Sequence, residues 1–258
     1  MDEQPLLSVG DVTLRFGGVT ALTDVNFDMG AHELLAIIGP NGAGKTSVFN
    51  CLSGVYRPQQ GSIRFIGREI RGERPTRIAR LGIARTFQNL GLFTRLNVID
   101  NLMLGRHIRM RTGFAAGMLW YGRARNEEIA NRRRCEEIME MLSLQAYRYE
   151  AIGSLPYGIQ KRIELGRALA MDPTLLLLDE PVAGMNLEET EDMARFILEI
   201  RSELDIAIIL VEHDMQMVMD IADRVLALDF GVPIALGTPA EVQANPRVIE
   251  AYLGQQAS

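Results

Sequence analysis

Eight consecutive residues, Gly39-Pro40-Asn41-Gly42-Ala43-Gly44-Lys45-Thr46, satisfy the pattern G-x-x-x-x-G-K-[ST] at every required position. Glycines let a chain curl so tightly that successive backbone N–H groups converge and can hold an anion. A lysine at this spacing reaches the outer phosphates of a nucleotide, and the Thr46 hydroxyl can ligate Mg²⁺. The flanks agree with this chemistry. His32-Glu33-Leu34-Leu35-Ala36-Ile37-Ile38 predicts a strand leading in, and Thr46-Ser47-Val48-Phe49-Asn50-Cys51-Leu52 predicts a helix leading out. The start of that helix, with Ser47 beside Thr46, adds its partial positive charge to the anion site. Gly39 to Ser47 are therefore read as a nucleotide phosphate site.

A second stretch complements the first. Leu175-Leu176-Leu177-Leu178 is an apolar strand that runs straight into Asp179-Glu180. Mg²⁺ keeps much of its hydration, so Asp179 is expected to hold it through water. Glu180 is then placed to polarise the water that attacks a γ-phosphate.

These groups need a scaffold that brings distant segments together, and the apolar pattern predicts one. Leu7, Val9, Leu14 and Phe16 alternate with a slip near Asp11, Gly17-Gly18 turns the chain, and Val25 to Met29 is a second strand, together an antiparallel edge. Ile63 and Phe65 mark a further short strand, Pro75 to Leu81 a helix, and Ile83 to Phe87 a strand followed directly by Gln88. Residues 89 to 155 carry helical periodicity and no strand pattern, which predicts an inserted helical subdomain ending near residue 170. Strand and helix then alternate again: Thr174 to Leu178, a helix from Leu187 to Leu204, Ile206 to Val211, and Arg224 to Leu228. Unbroken apolar strands of this kind belong in the middle of a parallel sheet. Thr238-Pro239-Ala240-Glu241 is a capping box, and Asn245-Pro246 opens a last short helix before Gly254. The fold class expected is α/β, with a parallel sheet flanked by helices around a phosphate loop, plus an antiparallel β subdomain and the helical insertion.

Composition bounds the remaining possibilities. The chain has 258 residues, 47% of them hydrophobic, and a net charge of −6, which gives no reason to expect nucleic acid as a partner. Arg132-Arg133-Arg134 sits among glutamates on a helical pattern and is read as a solvated face. The two cysteines, Cys51 and Cys135, make neither a disulfide framework nor a metal cluster, and Cys51 is expected to act as a small buried hydrophobe in a reducing compartment. The start, Met1-Asp2-Glu3-Gln4, lacks the pattern of a signal peptide, and no apolar run approaches the roughly 20 residues that span a bilayer. Met110 to Tyr121 holds the only Trp, Trp120. It reads either as packing within the helical insertion or as a loop touching a membrane partner. Met215, Met217 and Met219 are expected to fill core on a helix.

With these residues in view, the chain resembles the nucleotide-binding subunits of ABC transporters over nearly its full length. The resemblance implies the ABC ATPase fold: one cassette over residues 1–258, with an α/β core and β subdomain in 1–88 and 171–236, a helical subdomain in 89–170 and a C-terminal helical extension in 237–258. It implies that Gln88, in Arg85-Thr86-Phe87-Gln88, ligates Mg²⁺ and senses a partner, and that His213, in Val211-Glu212-His213-Asp214, contacts the γ-phosphate. Phe16 is the implied aromatic that stacks on adenine. Leu155-Pro156-Tyr157-Gly158-Ile159 stands where the family has Leu-Ser-Gly-Gly-Gln, followed by the helix Gln160 to Leu169. Its Leu155 and Gly158 are implied to face ATP bound to an opposing subunit. Pro156 in place of serine removes a hydroxyl and an N–H, and Ile159 replaces the usual glutamine. Ala183-Gly184-Met185-Asn186 resembles the segment that crosses the interface between subunits.

Leu-Pro-Tyr-Gly, Asp-Glu-Pro-Val-Ala-Gly-Met-Asn, Val-Glu-His-Asp-Met and the ending Gly237-Thr238-Pro239…Ala251-Tyr252-Leu253-Gly254 look like the larger ATPases of branched-chain amino acid importers. The activity implied is ATP hydrolysis, with ATP and Mg²⁺, coupled to transport. The partners implied are transmembrane permease subunits, a second ABC ATPase subunit in a homo- or heterodimer and, indirectly, a solute-binding protein. The place implied is the cytoplasmic face of the inner membrane, as a peripheral subunit. The ATPase of lipopolysaccharide export shares this kind of C-terminal end but keeps the serine-containing signature and a shorter helical insertion. A non-transport ABC ATPase is disfavoured by the single cassette and the absence of a long heptad tract. A small-molecule P-loop kinase does not require Gln88, the signature helix or His213.

Overall fold

The computed structural model describes residues 4–86, 91–109 and 123–253. The alternating apolar positions at the start form β1 (Leu7–Phe16) and β2 (Val19–Met29), which pair antiparallel across the Gly17-Gly18 turn. The slip in their alternation is a bulge. Asp11 adopts φ 52 and the register with β2 shifts between Val9 and Val12. β4 (Gln60–Phe65) pairs with β1 and β5 (Arg68–Glu69) with β4, giving a four-stranded antiparallel sheet in the order β2-β1-β4-β5.

The second sheet contains β3 (Leu34–Ile38), β6 (Ile83–Arg85), β7 (Leu175–Asp179), β8 (Ala207–Val211), β9 (Arg224–Asp229) and β10 (Val232–Gly237). Its order is β10-β9-β3-β8-β7-β6, and every pairing is parallel except that of β10 with β9. All residues of β3, β7 and β8 are buried, which explains why these strands read as unbroken apolar runs rather than alternations. β10 is not foreshadowed by the apolar pattern, because Pro233 interrupts it. An edge strand tolerates a proline whose missing N–H would face outward.

Helices cover both faces of this sheet. They are α1 (Lys45–Leu52), α2 (Pro75–Leu81), α3 (Val98–Arg106), α4 (Arg123–Met141), α5 (Tyr157–Leu169), α6 (Leu187–Leu204), α7 (Met215–Ile221), α8 (Pro239–Gln243) and α9 (Pro246–Leu253). Successive strand residues feed opposite cores. Leu35, Ile37, Leu177, Ile209 and Leu226 pack with Phe49 of α1 and the antiparallel sheet. Leu34, Leu176, Leu178, Ile208 and Leu210 pack with Ile138, Leu169, Phe196 and Ile197 of the helical side. Phosphate loop and helical insertion are thus fastened to the two faces of one set of strands.

Among the described residues of 89–155 there is no strand, only an isolated bridge between Asn97 and Ala151. α5 begins at Tyr157, three residues before the position the pattern suggests. Pro156 serves as its N-cap, where no N–H is needed, and its carbonyl accepts the Gln160 N–H at 3.1 Å to close the first turn. α6 starts on a full capping box between Asn186 and Glu189, and Thr238 with Glu241 forms the one that opens α8.

Arg133 is solvated as expected, but Arg134 is not. Its guanidinium pairs with Asp172 at 3.0 Å, alongside Arg106, and ties α4 to the turn after α5. Met217 is buried, and Met215 and Met219 pack partly against the same core. Met110 to Tyr121 lies outside the described residues. Among those described, no helix is long and apolar enough to cross a membrane.

Both cysteines are buried, and burial pushes the thiol of Cys51 up to about 12 and that of Cys135 to about 11. Thiolate is the reactive form, so neither is expected to react with iodoacetamide at pH 8 until the chain unfolds. Mass spectrometry of alkylated protein with and without urea checks this; native labelling of either residue would contradict the packing described.

Candidate functional site

Parallel strands end on the same edge of their sheet, and four such ends meet here. β3 delivers the loop beginning at Gly39, β7 delivers Asp179 and Glu180, β8 delivers Glu212 and His213, and β6 delivers Thr86. β3 lies between β9 and β8 rather than beside its neighbours in sequence, and such a switch in strand order opens a crevice at the carboxyl ends.

The phosphate loop is held in shape by contacts that only glycine permits. A Cβ on Gly39 would stand 2.2 Å from the Leu228 carbonyl of β9. Gly44, the N-cap of α1 at φ 98, would place one 2.9 Å from Leu22 and 3.0 Å from the Ala21 carbonyl. Gly231 in the β9–β10 turn braces the loop from behind. It donates its N–H to the Ala43 carbonyl at 3.0 Å and accepts the Thr23 N–H of β2 at 2.9 Å.

Lys45 is buried and turns back on its own loop. Its Nζ donates to the carbonyls of Gly39 at 2.6 Å and Pro40 at 2.9 Å. Burial pulls the pKa of its ammonium below the ordinary value, against an opposing pull from Glu180 and Asp179. A polyanion entering the loop would give this cation a stronger partner than neutral carbonyls. Asn41, Gly42 and Thr46 are exposed, and Ser47 is half-buried.

Asp179 is 1% exposed and is not left unpaired. Arg85 Nη2 meets its Oδ2 at 2.8 Å, while Arg85 Nη1 donates to Asn50 Oδ1 at 2.6 Å and Ser53 Oγ at 3.2 Å on and just after α1. Asp179 N–H donates to Thr86 Oγ1 at 3.1 Å. Arg85 therefore ties the carboxylate at the end of β7 to the helix that follows the phosphate loop. Nothing in the local sequence announces this contact, which joins residues far apart in the chain.

Glu180 and His213 meet directly. Glu180 Oε1 lies 3.1 Å from His213 Nε2, with the two side chains 20% and 45% exposed. Behind them sits Glu212, 3% exposed, whose Oε1 accepts the Val182 N–H at 2.9 Å and Oε2 the His213 N–H at 2.9 Å. Burial raises its carboxyl pKa, opposed by the N–H groups of Val182, His213 and Asp214. One carboxylate thus binds the turns after β7 and β8 together. Its sequence signal is an acid closing an apolar strand, the same signal that marks Asp179.

Phe16 ends β1 and is 46% exposed, its ring edge-on to Tyr56 at 4.9 Å. Leu155 and Gly158 are buried at the start of α5, with Gly158 pressed against the Glu189 carboxylate of the capping box. The segment also meets Gly184 through Tyr157, and α5 reaches the Glu180 carbonyl through Lys161. Gln88 lies outside the described residues.

Arg85→Met is expected to strand a buried Asp179 carboxylate and cost about 3–5 kcal/mol. Arg85→Met combined with Asp179→Asn should recover most of that loss. Urea denaturation of the two variants checks this; equal losses would remove Arg85 as the partner that stabilises the β7 end.

Comparison with known proteins places the chain among characterised families. Residues 22–183 match the ABC transporter family, and residues 232–258 match the family described as branched-chain amino acid ATP-binding cassette transporter. The chain is 41% identical over 252 residues to the high-affinity branched-chain amino acid transport ATP-binding protein BraF of Pseudomonas aeruginosa, covering 98% of this chain and 99% of that one. It is 41% identical over 255 residues to the corresponding LivG protein of Escherichia coli K12, again covering 98% and 99%. A crystal structure of an ATP-binding cassette of an ABC transporter in its ADP conformation superposes with a TM-score of 0.85 at 27% identity, covering 98% of this chain and all of that one.

Proposed function

The chain belongs to the ABC transporter ATP-binding family, and from that premise we propose that it powers the import of branched-chain or other hydrophobic amino acids. ATP hydrolysis is the activity of the family, and the protein is an ATP-binding ATPase subunit of a membrane transporter. The solute is inferred from the relatives, since no group in the site described recognises an amino acid. Near-complete coverage and the match of the last 27 residues to the branched-chain family support it.

The observation that carries the chemistry is the contact between Glu180 and His213 at the open edge of the phosphate loop. In this reading the loop from Gly39 to Ser47 cradles the phosphates and Lys45 exchanges two carbonyls for phosphate oxygens. Glu180 accepts a proton from the attacking water as it approaches the γ-phosphate. His213 holds the Glu180 carboxylate in line and offers its ring to the same phosphate. Phe16, backed by Tyr56, stacks on the base. The hydroxyl of Thr46 and the carboxylate of Asp179 are hard oxygen donors, the type Mg²⁺ selects, and with Gln88 they would hold that ion. Bound Mg²⁺ would neutralise charge that develops on the β- and γ-phosphates.

Leu155 and Gly158 complete the site of a second cassette rather than their own. α5 opens with N–H groups that have no intrahelical acceptor, and they suit a phosphate presented from across a dimer. The second cassette is a copy of this chain or a sister ATPase. Both sit on permease subunits at the cytoplasmic face of the membrane, served from the other side by a solute-binding protein. The division into an α/β core (1–88 and 171–236), a helical subdomain (89–170) and a C-terminal extension (237–258) belongs to the same proposal.

Glu180→Gln is expected to bind ATP with normal affinity, to hydrolyse it at least about a hundredfold more slowly, and to dimerise when ATP is added. Steady-state ATPase assays with size-exclusion chromatography check this. Near-normal turnover, or full activity from a strict monomer, would overturn the assignment. Permeases and a second ATPase co-purifying from detergent-solubilised membranes would support the transport reading; co-purification with ribosomes or DNA would contradict it.

A further inference from the structure

On α5, Lys161 and Glu164 lie one turn apart and 3.7 Å from each other, with side chains only 2% and 3% exposed. Lys161 Nζ also donates to the main-chain carbonyl of Glu180 at 3.2 Å and stands 5.9 Å from the centre of the Tyr157 ring. Tyr157 in turn flanks Gly184, four residues beyond Glu180. A charged pair of this kind is a poor way to hold a helix in a core. Removing both ions from water costs more than their attraction commonly returns, and an apolar pair of similar volume does the same packing as well or better. The charge is explained by what the ammonium reaches.

What it reaches is a backbone in an unfavourable conformation. Glu180 has φ 49, in the left-handed region that residues with a side chain rarely enter. Such a conformation persists only where the surroundings over-determine it, and it marks positions where aim matters. The Glu180 peptide is held on both sides. Its N–H donates to the Val211 carbonyl at 2.9 Å, while its carbonyl accepts from Lys161 and, at 3.3 Å, from the Ala183 N–H. Of these three bonds only the one from Lys161 comes from α5. The Ala183 N–H closes the local turn, and the Val211 carbonyl comes from the neighbouring strand.

We propose that Lys161, balanced by Glu164, is a positioning residue for Glu180, fixing the left-handed turn that aims its carboxylate at His213 and the phosphate loop. The inference rests on the reading of Glu180 as the group that activates water. It goes further in one respect. Because the donor is carried by α5, the aim of Glu180 depends on how the segment from Leu155 to Gly158 is seated.

The test compares the full-length protein with Lys161→Met/Glu164→Gln, which removes both charges at nearly constant volume, and with Lys161→Arg, which keeps a donor. Glu180→Gln is assayed in parallel. The double variant is expected to melt within a few degrees of the parent and to keep its KM for ATP, while kcat falls roughly tenfold to a hundredfold. Lys161→Arg is expected to retain most of kcat. Should the double variant not accumulate, Lys161→Gln against Lys161→Arg, each alone, carries the same comparison at matched melting temperature. A folded double variant with kcat within twofold of the parent, beside an inactive Glu180→Gln, would overturn this inference and leave the function standing. A loss of kcat that simply follows the melting temperature across the variants would overturn it too. An active Glu180→Gln would remove both.

Discussion

In a parallel sheet every strand finishes on the same edge, so pairing β3 with β8 and β9, and β8 with β7, brings the ends of distant segments within bonding distance of one another. The phosphate loop, Asp179, Glu180 and His213 are spread over some 175 residues of chain and become one site through that geometry alone. The constraint is firm because the strands are buried on both faces. Leu177 and Ile209 pack under α1, while Leu176 and Ile208 pack under the helical side. A slip of one residue would exchange these two sets and move Asp179 off the edge.

Once the edge is built, its electrostatics follow from burial. Lys45, Asp179 and Glu212 are each less than a tenth exposed, so each needs a specific partner. Lys45 takes the carbonyls of its own loop, Asp179 takes Arg85, and Glu212 takes three backbone N–H groups. The partners differ in how readily they can be replaced. Two neutral carbonyls are a modest match for an ammonium, and a phosphate would be a stronger one. The guanidinium on Asp179 and the amides on Glu212 are stronger partners, and they tie down the ends of β7 and β8.

How much of this could be read from the chain depends on the range of the contact. Local signals were legible: the glycine loop before α1, the capping box at Thr238, the slip near Asp11 and the apolar strands. Each is decided by a few neighbouring residues. Asp179 and Glu180 were legible as a strand end beside a phosphate loop. Arg85, Lys161 and Glu212 were not, since their meaning lies in partners 94, 19 and 30 residues away in sequence. Arg134 reads locally as one of three solvated arginines, because its partner Asp172 lies 38 residues away in sequence. β10 was obscured by its proline, and the first turn of α5 by another, since proline reads as a break unless its place at an edge or helix start is known.

A nucleotide bound at this edge requires Lys45 to give up the carbonyls of its own loop. The most direct measurement is a structure of the full-length protein with Mg²⁺ and a non-hydrolysable ATP analogue. The expected result is that Lys45 Nζ has left the Gly39 and Pro40 carbonyls for the β- and γ-phosphates, with the γ-phosphate lying between Lys45 and the Glu180–His213 pair. Nucleotide bound away from the β3 end, or Lys45 still bonded to its loop carbonyls beside a bound nucleotide, would contradict it.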